Sequence, residues 1–261
     1  MEGEPDTAYK GCKPKRCQWQ ALVHLPLLTS FFIAGVLEIA VPLLLGLMLH
    51  RRLGVGWRTY AIGCVMFALS LVRIPLNNAV SQTLIRMCSG ALLGYLPLAF
   101  PSLTAGLFEE SARFVAFRLL IKERSWKEGL MYGAGHGGFE SMLLVGVTVL
   151  STAVIITFFP SMMPPEQLQA ISVLPAYMPL VGLYERLMAI TIQIGLSVLV
   201  LQCFIHMRLI YLGLAIALHF VIDFVALATV PFGILWSELA VTAFAVALYL
   251  YVRRTSPSRG L

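Results

Sequence analysis

Long apolar runs separated by short polar segments make up most of this 261-residue chain. A helix needs about 20 apolar residues to cross the hydrocarbon layer of a bilayer. The pattern therefore predicts an all-α, polytopic transmembrane helix bundle of about seven spans, at 25–49, 59–75, 98–121, 129–159, 178–204, 209–230 and 232–252. The stretch 76–97 mixes polar and apolar side chains, and we interpret it as a surface or re-entrant helix. If this stretch crosses the membrane instead, the bundle has eight spans.

The composition leaves little room for a separate soluble domain. The chain is 59% hydrophobic and only 12% charged, whereas soluble domains carry about 25% charged residues. We expect a polar, basic N-terminal tail at 1–24, a transmembrane helical domain at 25–252 and a basic C-terminal tail at 253–261. The net charge of +6 is the ordinary signature of basic cytoplasmic loops. We therefore expect the lipid bilayer as a partner and no nucleic acid.

Lysine and arginine residues mark alternate loops of the chain. They occur at 51–58, at 122–127, at 208 and in the C-terminal tail, whereas the loop 161–177 has none. Because cytoplasmic loops carry an excess of these residues, we expect the basic loops and the C-terminus to be cytoplasmic. The basic N-terminal tail is an exception, since seven spans place it on the opposite side.

Ionisable side chains inside the apolar runs give the main indication of function. They form three motifs, Glu109-Glu110-x-x-Arg113, His136-x-x-x-Glu140 and His219-x-x-x-Asp223. Residues three or four apart lie on one face of a helix. Charged groups are costly at bilayer depth, so they are expected to face the bundle interior and to serve a function. Counted from the cytoplasmic ends at 1.5 Å per residue, most of these groups lie roughly 12–18 Å deep, in one layer.

The three motifs can hold a metal ion or activate a water molecule. Glu109 and Glu110 point about 100° apart, so only one is expected to face the centre, and the other can pair with Arg113. A carboxylate in a water-poor cavity is a usable base, and each His–acid pair offers two metal ligands or a proton relay. The alternatives are a structural ion pair for the glutamates and helix packing by the small residues at 133–138. We interpret Glu185-Arg186 as a structural pair and Arg73 as a partner of Glu38 or of a lipid headgroup.

The order of these motifs on successive long spans resembles the YhfC family of intramembrane metalloproteases. That resemblance extends to the CAAX-processing and bacteriocin-immunity endopeptidases, the PrsW proteases and the multipass scaffold subunit of γ-secretase. It covers about residues 25–252 and implies hydrolysis of a peptide bond within the membrane. Glu109 or Glu110 would activate water, with Arg113, His219 and Asp223 also in the catalytic site. Zinc or another divalent metal, or the oxyanion, would be held by His136, Glu140, His219 and Asp223.

Gln193 departs from the pattern of the relatives, which commonly place a His about two turns after a Glu-Arg pair such as Glu185-Arg186. Glutamine is a poor zinc ligand, so the alternative to a metal site is a water molecule activated by glutamate alone. The two His–acid pairs exceed what a single base requires, and this favours a metal.

The resemblance implies a membrane protein or a lipidated peptide as the substrate. Two other functions fit the same residues: a catalytically silent membrane scaffold or assembly subunit on the same fold, and a proton-coupled transporter. Many transporters have internal repeats, and we find no convincing repeat in this sequence, which favours the protease. The sequence does not indicate an oligomeric state.

Overall fold

The computed structural model describes residues 23–87 and 95–257. Within these ranges all regular secondary structure is helical, as predicted for an all-α bundle. Most of the N-terminal tail predicted at 1–24 lies outside the described residues, as do residues 88–94 of the stretch 76–97 and residues 258–261 of the predicted C-terminal tail.

Ten α-helices lie within the described ranges. They are α1 (Leu25–Leu53), α2 (Trp57–Ser70), α3 (Arg73–Met87), α4 (Leu96–Val115), α5 (Trp126–Glu140), α6 (Val147–Phe158), α7 (Pro165–Ser172), α8 (Met178–Ile205), α9 (Ile210–Thr229) and α10 (Ile234–Arg254). Helix α4 continues as a π-helix over Ala116–Leu120, and a second π-helical segment, Ser141–Gly146, joins α5 to α6. Helix α5 begins where its N-cap, Ser125, accepts a hydrogen bond from the backbone N–H of Glu128 (3.4 Å).

Six helical segments of the described chain are long and apolar enough to cross a membrane. They are Leu25–Leu53, Trp57–Thr83, Trp126–Phe158, Met178–Ile205, Ile210–Phe232 and Ile234–Arg254. These segments correspond to six of the seven predicted spans, so the chain is a multi-pass integral membrane protein. The other predicted span, 98–121, is helical as α4 and its π-helical extension, but it carries Glu109, Glu110 and Arg113 and is not among the six. The count of seven therefore stays a prediction.

The chain forms two compact units. The first consists of Leu143–Tyr184 together with the described part of Met1–Ile39. A Cβ at Gly35 would lie 2.8 Å from the backbone nitrogen of Leu150, so α1 and α6 approach each other at backbone distance. The core of this unit is apolar and contains Val23, Leu27, Phe31, Ala153, Ile156 and Leu168.

The second unit consists of the described parts of Ala40–Met142 and Glu185–Leu261 and contains all three motifs. Within it α2 packs on α5, α4 packs on α9, and α9 packs on α10. A Cβ at Gly106 of α4 would lie 2.7 Å from the carbonyl oxygen of Ile216 on α9. Only glycine permits this approach, which lies one turn from Glu110 on one helix and from His219 on the other.

Glycines of α5 allow two further close approaches in this unit, one to α2 and one to α8. A Cβ at Gly135 would lie 2.1 Å from the carbonyl oxygen of Tyr60 on α2, and a Cβ at Gly137 would lie 2.7 Å from the Cβ of Gln193 on α8. The small residues at 133–138 therefore do serve helix packing, as one interpretation of the sequence held. The same approach places Glu140, three residues after Gly137, beside Gln193.

Candidate active site

A cavity of about 110 Å³ lies in the second unit, where the polar faces of α4, α5, α8 and α9 meet. Four residues of the sequence motifs line it, namely Glu109, Glu140, His219 and Asp223. The remaining polar lining comes from Arg73, Glu185, Arg186 and Gln193, and the apolar lining from Ala189, Ile192, Ile222, Ala226 and Val241. Carboxylates, an imidazole and guanidinium groups therefore surround one small space within the helix bundle.

Glu109 accepts hydrogen bonds from three different helices. Its Oε1 lies 2.7 Å from Nη2 of Arg73, at the start of α3. Its Oε2 lies 3.1 Å from Nε2 of His136 on α5 and 3.1 Å from Nε2 of Gln193 on α8. The carboxylate is 2% exposed and is therefore held in one position at the wall of the cavity.

Glu110 faces away from the cavity, between α4 and α9. Its Oε1 lies 2.7 Å from Nδ1 of His219, and its Oε2 lies 3.4 Å from Nη1 of Arg113. Neither Glu110 nor Arg113 is exposed at all. The pairing with Arg113 that the sequence predicts for one of the two glutamates therefore belongs to Glu110.

The other ring nitrogen of His219 is directed at the cavity. Its Nε2 lies 3.6 Å from Oδ2 of Asp223 and 3.9 Å from Oε2 of Glu109. Because Glu110 holds Nδ1, the orientation of the imidazole is fixed from behind. His136 differs from His219, since its Nε2 is bonded to Glu109 and its ring lies edge-on to Phe67 at a centroid distance of 5.2 Å.

Gln193 connects the carboxylates of two helices. Its Nε2 donates to Oε2 of Glu109 (3.1 Å) and to Oε2 of Glu140 (2.8 Å). Its Oε1 accepts a hydrogen bond from Nη2 of Arg113 at 2.5 Å, which fixes the direction of the amide. Arg186 donates from Nη1 to Oε1 of Glu140 (3.3 Å) and also pairs with Glu185.

Two arginines of this site have a partner in the structure that the sequence analysis does not name. Arg73 pairs with Glu109, a residue that the sequence interpretation does not consider as its partner. Arg186 does pair with its neighbour Glu185, but it also contacts Glu140 at the cavity. Neither contact leaves a signal in spacing, because each joins two helices that are distant in sequence.

The comparison with known protein families shows which family this chain belongs to. The model of the YhfC intramembrane metalloprotease matches residues 37–246 of this chain. The chain belongs to the YhfC family. This YhfC member is 27% identical over 210 residues to a Bacillus subtilis (strain 168) protein named uncharacterized membrane protein YhfC, and the match covers 72% of this chain and 79% of that protein. No solved structure matches the chain. The relation to CAAX-processing, bacteriocin-immunity and PrsW proteases and to the γ-secretase scaffold subunit stays a prediction.

The family name implies a bound metal ion, and the donor groups can be tested for one. Among the described residues, no three His, Cys, Asp or Glu side chains form a group that can hold a metal. The four ligands predicted from the sequence, His136, Glu140, His219 and Asp223, do not form such a group either. Nε2 of His136 and Nδ1 of His219 are turned toward Glu109 and Glu110, respectively, and Glu140 is engaged by Gln193 and Arg186. As arranged here, these residues do not fit a metal ion.

Proposed function

We propose that this YhfC family member hydrolyses a peptide bond in a membrane-embedded or membrane-adjacent substrate, with Glu109 as the residue that activates water. One observation carries the proposal. Of the two adjacent glutamates, Glu109 lines the cavity, whereas Glu110 is buried behind it. Membership of an intramembrane protease family supports the reaction class.

Glu109 has room for one further hydrogen bond on the cavity side. Each carboxylate oxygen accepts about two hydrogen bonds in its plane. Among the described residues, Oε2 already accepts from His136 and Gln193, whereas Oε1 accepts only from Arg73. A substrate water would therefore bind at Oε1 and transfer a proton to it as its oxygen attacks the carbonyl carbon. The carbonyl π electrons move to oxygen, and on collapse the C–N bond breaks while Glu109 gives the proton to the leaving nitrogen.

His219 is suited to stabilise the oxyanion that forms during this attack. A protonated His219 gives its Nδ1–H to Glu110 and directs its Nε2–H at the cavity. Asp223 and Glu140 face the same space and would orient the peptide through its N–H groups. Arg113 would act indirectly, because it contacts Glu110 and Gln193 and does not line the cavity.

The substrate would be an integral membrane protein or a lipidated peptide, since the cavity lies inside a bundle of membrane-spanning helices. The basic loops and the C-terminus would be cytoplasmic, because they carry most of the lysine and arginine residues. The scaffold and the transporter remain the rival functions.

The test compares wild-type protein with Glu109→Gln in cells that lack the endogenous protein. New peptide N-termini in the membrane fraction are identified by mass spectrometry, and synthetic segments spanning them are then assayed in proteoliposomes. Loss of a general base lowers the rate by about 10²–10⁴-fold. Glu238→Gln is the matched control, because Glu238 is also a buried glutamate of a membrane helix but does not line the cavity.

The outcomes separate the candidate functions. New termini that depend on Glu109 and not on Glu238 support the protease. Equal rates in wild type and Glu109→Gln, or no Glu109-dependent termini, contradict it and leave the scaffold or the transporter. A loss in Glu110→Gln that exceeds the loss in Glu109→Gln would exchange the roles assigned to the two glutamates.

A further inference from the structure

We propose that Gln193 and three arginines occupy the structural place of a metal ion in this site, so that the wild-type protein binds no metal there. The inference deepens the proposed function and rests on it where hydrolysis is concerned. The absence of a bound metal does not depend on any activity. It follows from the way other side chains engage the carboxylate and imidazole groups.

The arginines balance the charge of the glutamates one by one. Carboxylates grouped in a membrane interior need compensating positive charge, and a divalent ion is one source of it. Here each glutamate of the motifs lies beside an arginine: Arg73 lies 2.7 Å from Glu109, Arg113 lies 3.4 Å from Glu110, and Arg186, which Glu140 shares with Glu185, lies 3.3 Å from Glu140. These three glutamates therefore already have positive charge beside them without a metal.

The carboxylate oxygens that a metal would need also accept hydrogen bonds. Both oxygens of Glu109 and both oxygens of Glu140 accept from nitrogen donors. His136 uses Nε2 on Glu109, and His219 uses Nδ1 on Glu110.

Among the motif residues at the cavity, Nε2 of His219 and the carboxylate of Asp223 are the groups that neither an arginine nor an amide engages. A catalytic zinc ion takes three protein ligands and one water. These two groups alone are therefore one ligand short of such a site, in agreement with the lack of a three-residue metal group among the described residues.

Gln193 is the residue that determines whether the site can bind a metal. Its Oε1 is fixed by Arg113 at 2.5 Å, so its NH₂ group must point at Glu109 and Glu140. The amide thereby acts as a positioning group that holds two carboxylates at a fixed separation. A histidine here would remove the amide donor, release Oε2 of Glu140 and add a ring nitrogen at the cavity wall, while Oε2 of Glu109 would keep its bond to His136. Such a change would supply the missing ligand, and binding of the metal would displace protons from the imidazoles.

The experiment measures bound metal in purified protein, with no need for a substrate. Wild type, Gln193→His and Gln202→His are produced with a tag that lacks histidines, incubated with zinc, desalted and analysed by mass spectrometry of the elements. Gln202 is the matched control, since it is a buried glutamine of the same helix whose Nε2 bonds to the carbonyl oxygen of Val198, outside the cavity. Size-exclusion profiles and melting curves establish that each variant is folded.

We expect well under one zinc ion per chain in wild type and in Gln202→His, and about one in Gln193→His. Stoichiometric zinc in wild type would overturn the inference, whether or not the variants fold. Zinc in folded Gln193→His that does not exceed zinc in Gln202→His would also overturn it, because Gln193 would then not be the deciding residue. If the protein is a protease, chelators should leave wild-type hydrolysis unchanged. A protein with neither zinc nor proteolytic activity would refute the proposed function and leave the inference on metal binding intact.

Discussion

The close approach of α5 and α8 at Gly137 predicts a defined cost for adding one methyl group. In Gly137→Ala the new Cβ would lie 2.7 Å from Cβ and 3.0 Å from Cγ of Gln193. The Cβ of Gln193 is fixed by the backbone and cannot rotate away, so the two helices must move apart. Extra atoms in a packed interior cost about 1–3 kcal/mol, whereas alanine in place of glycine within a helix returns about 0.5–1 kcal/mol. The expected net loss of unfolding free energy is up to about 2.5 kcal/mol.

Gly129→Ala on the same helix is the matched control. Its Cβ would lie 3.3 Å from Cδ2 of Leu201 and 3.4 Å from Cγ2 of Val198, which are the ends of side chains that can adjust. We expect this variant to be as stable as wild type, or more stable by up to about 1 kcal/mol. Unfolding by sodium dodecyl sulfate in mixed micelles, followed by circular dichroism, measures both variants. If the two variants are equally stable, the proposed dependence of the α5–α8 contact on Gly137 is refuted.

Two further predictions concern the buried ion pair and the orientation of the chain. Arg113→Leu removes the arginine that is paired with the buried carboxylate of Glu110, so the unfolding free energy should fall by about 3–5 kcal/mol. In the same micelle assay, a loss below about 1 kcal/mol would show that His219 alone is a sufficient partner for Glu110. A cysteine introduced at Ser161 should react with an impermeant maleimide added outside intact cells, whereas a cysteine at Arg253 should react only after permeabilisation, in a background without the native cysteines. Labelling of both positions from the same side would contradict the predicted orientation and the odd number of spans predicted between them.

Features that depend on nearby positions in the sequence were predicted correctly. Apolar runs of about 20 residues predicted helices because a membrane-spanning helix must satisfy its own backbone hydrogen bonds. The spacing of the two glutamates and Arg113 predicted an ion pair with one of them because residues three or four apart share a helix face, and Glu110 forms that pair. The convergence of Glu109, Glu140, His219 and Asp223 was expected from their common depth, and the four residues line one cavity.

Contacts between distant helices could not be predicted in the same way. The partner of Arg73 is Glu109, and the second partner of Arg186 is Glu140, 46 residues away in sequence. Such pairs depend on which helices pack together and at what rotation, and a single sequence does not specify either. The choice between Glu109 and Glu110 has the same origin, since it depends on the rotation of α4 against α9.

The size of the cavity has a consequence for the rate at which the proposed protease would work. At about 110 Å³ it has room for a few water molecules, whereas pockets that enclose ligands of drug size measure roughly 300–1,000 Å³. A peptide segment cannot enter before the surrounding helices separate. In the proposed protease, each catalytic cycle would therefore begin with an opening of the bundle that breaks ion pairs such as Arg186–Glu140. Where such gating limits the rate, turnover is slow, depends on the thickness and fluidity of the bilayer, and responds weakly to changes in the scissile bond itself.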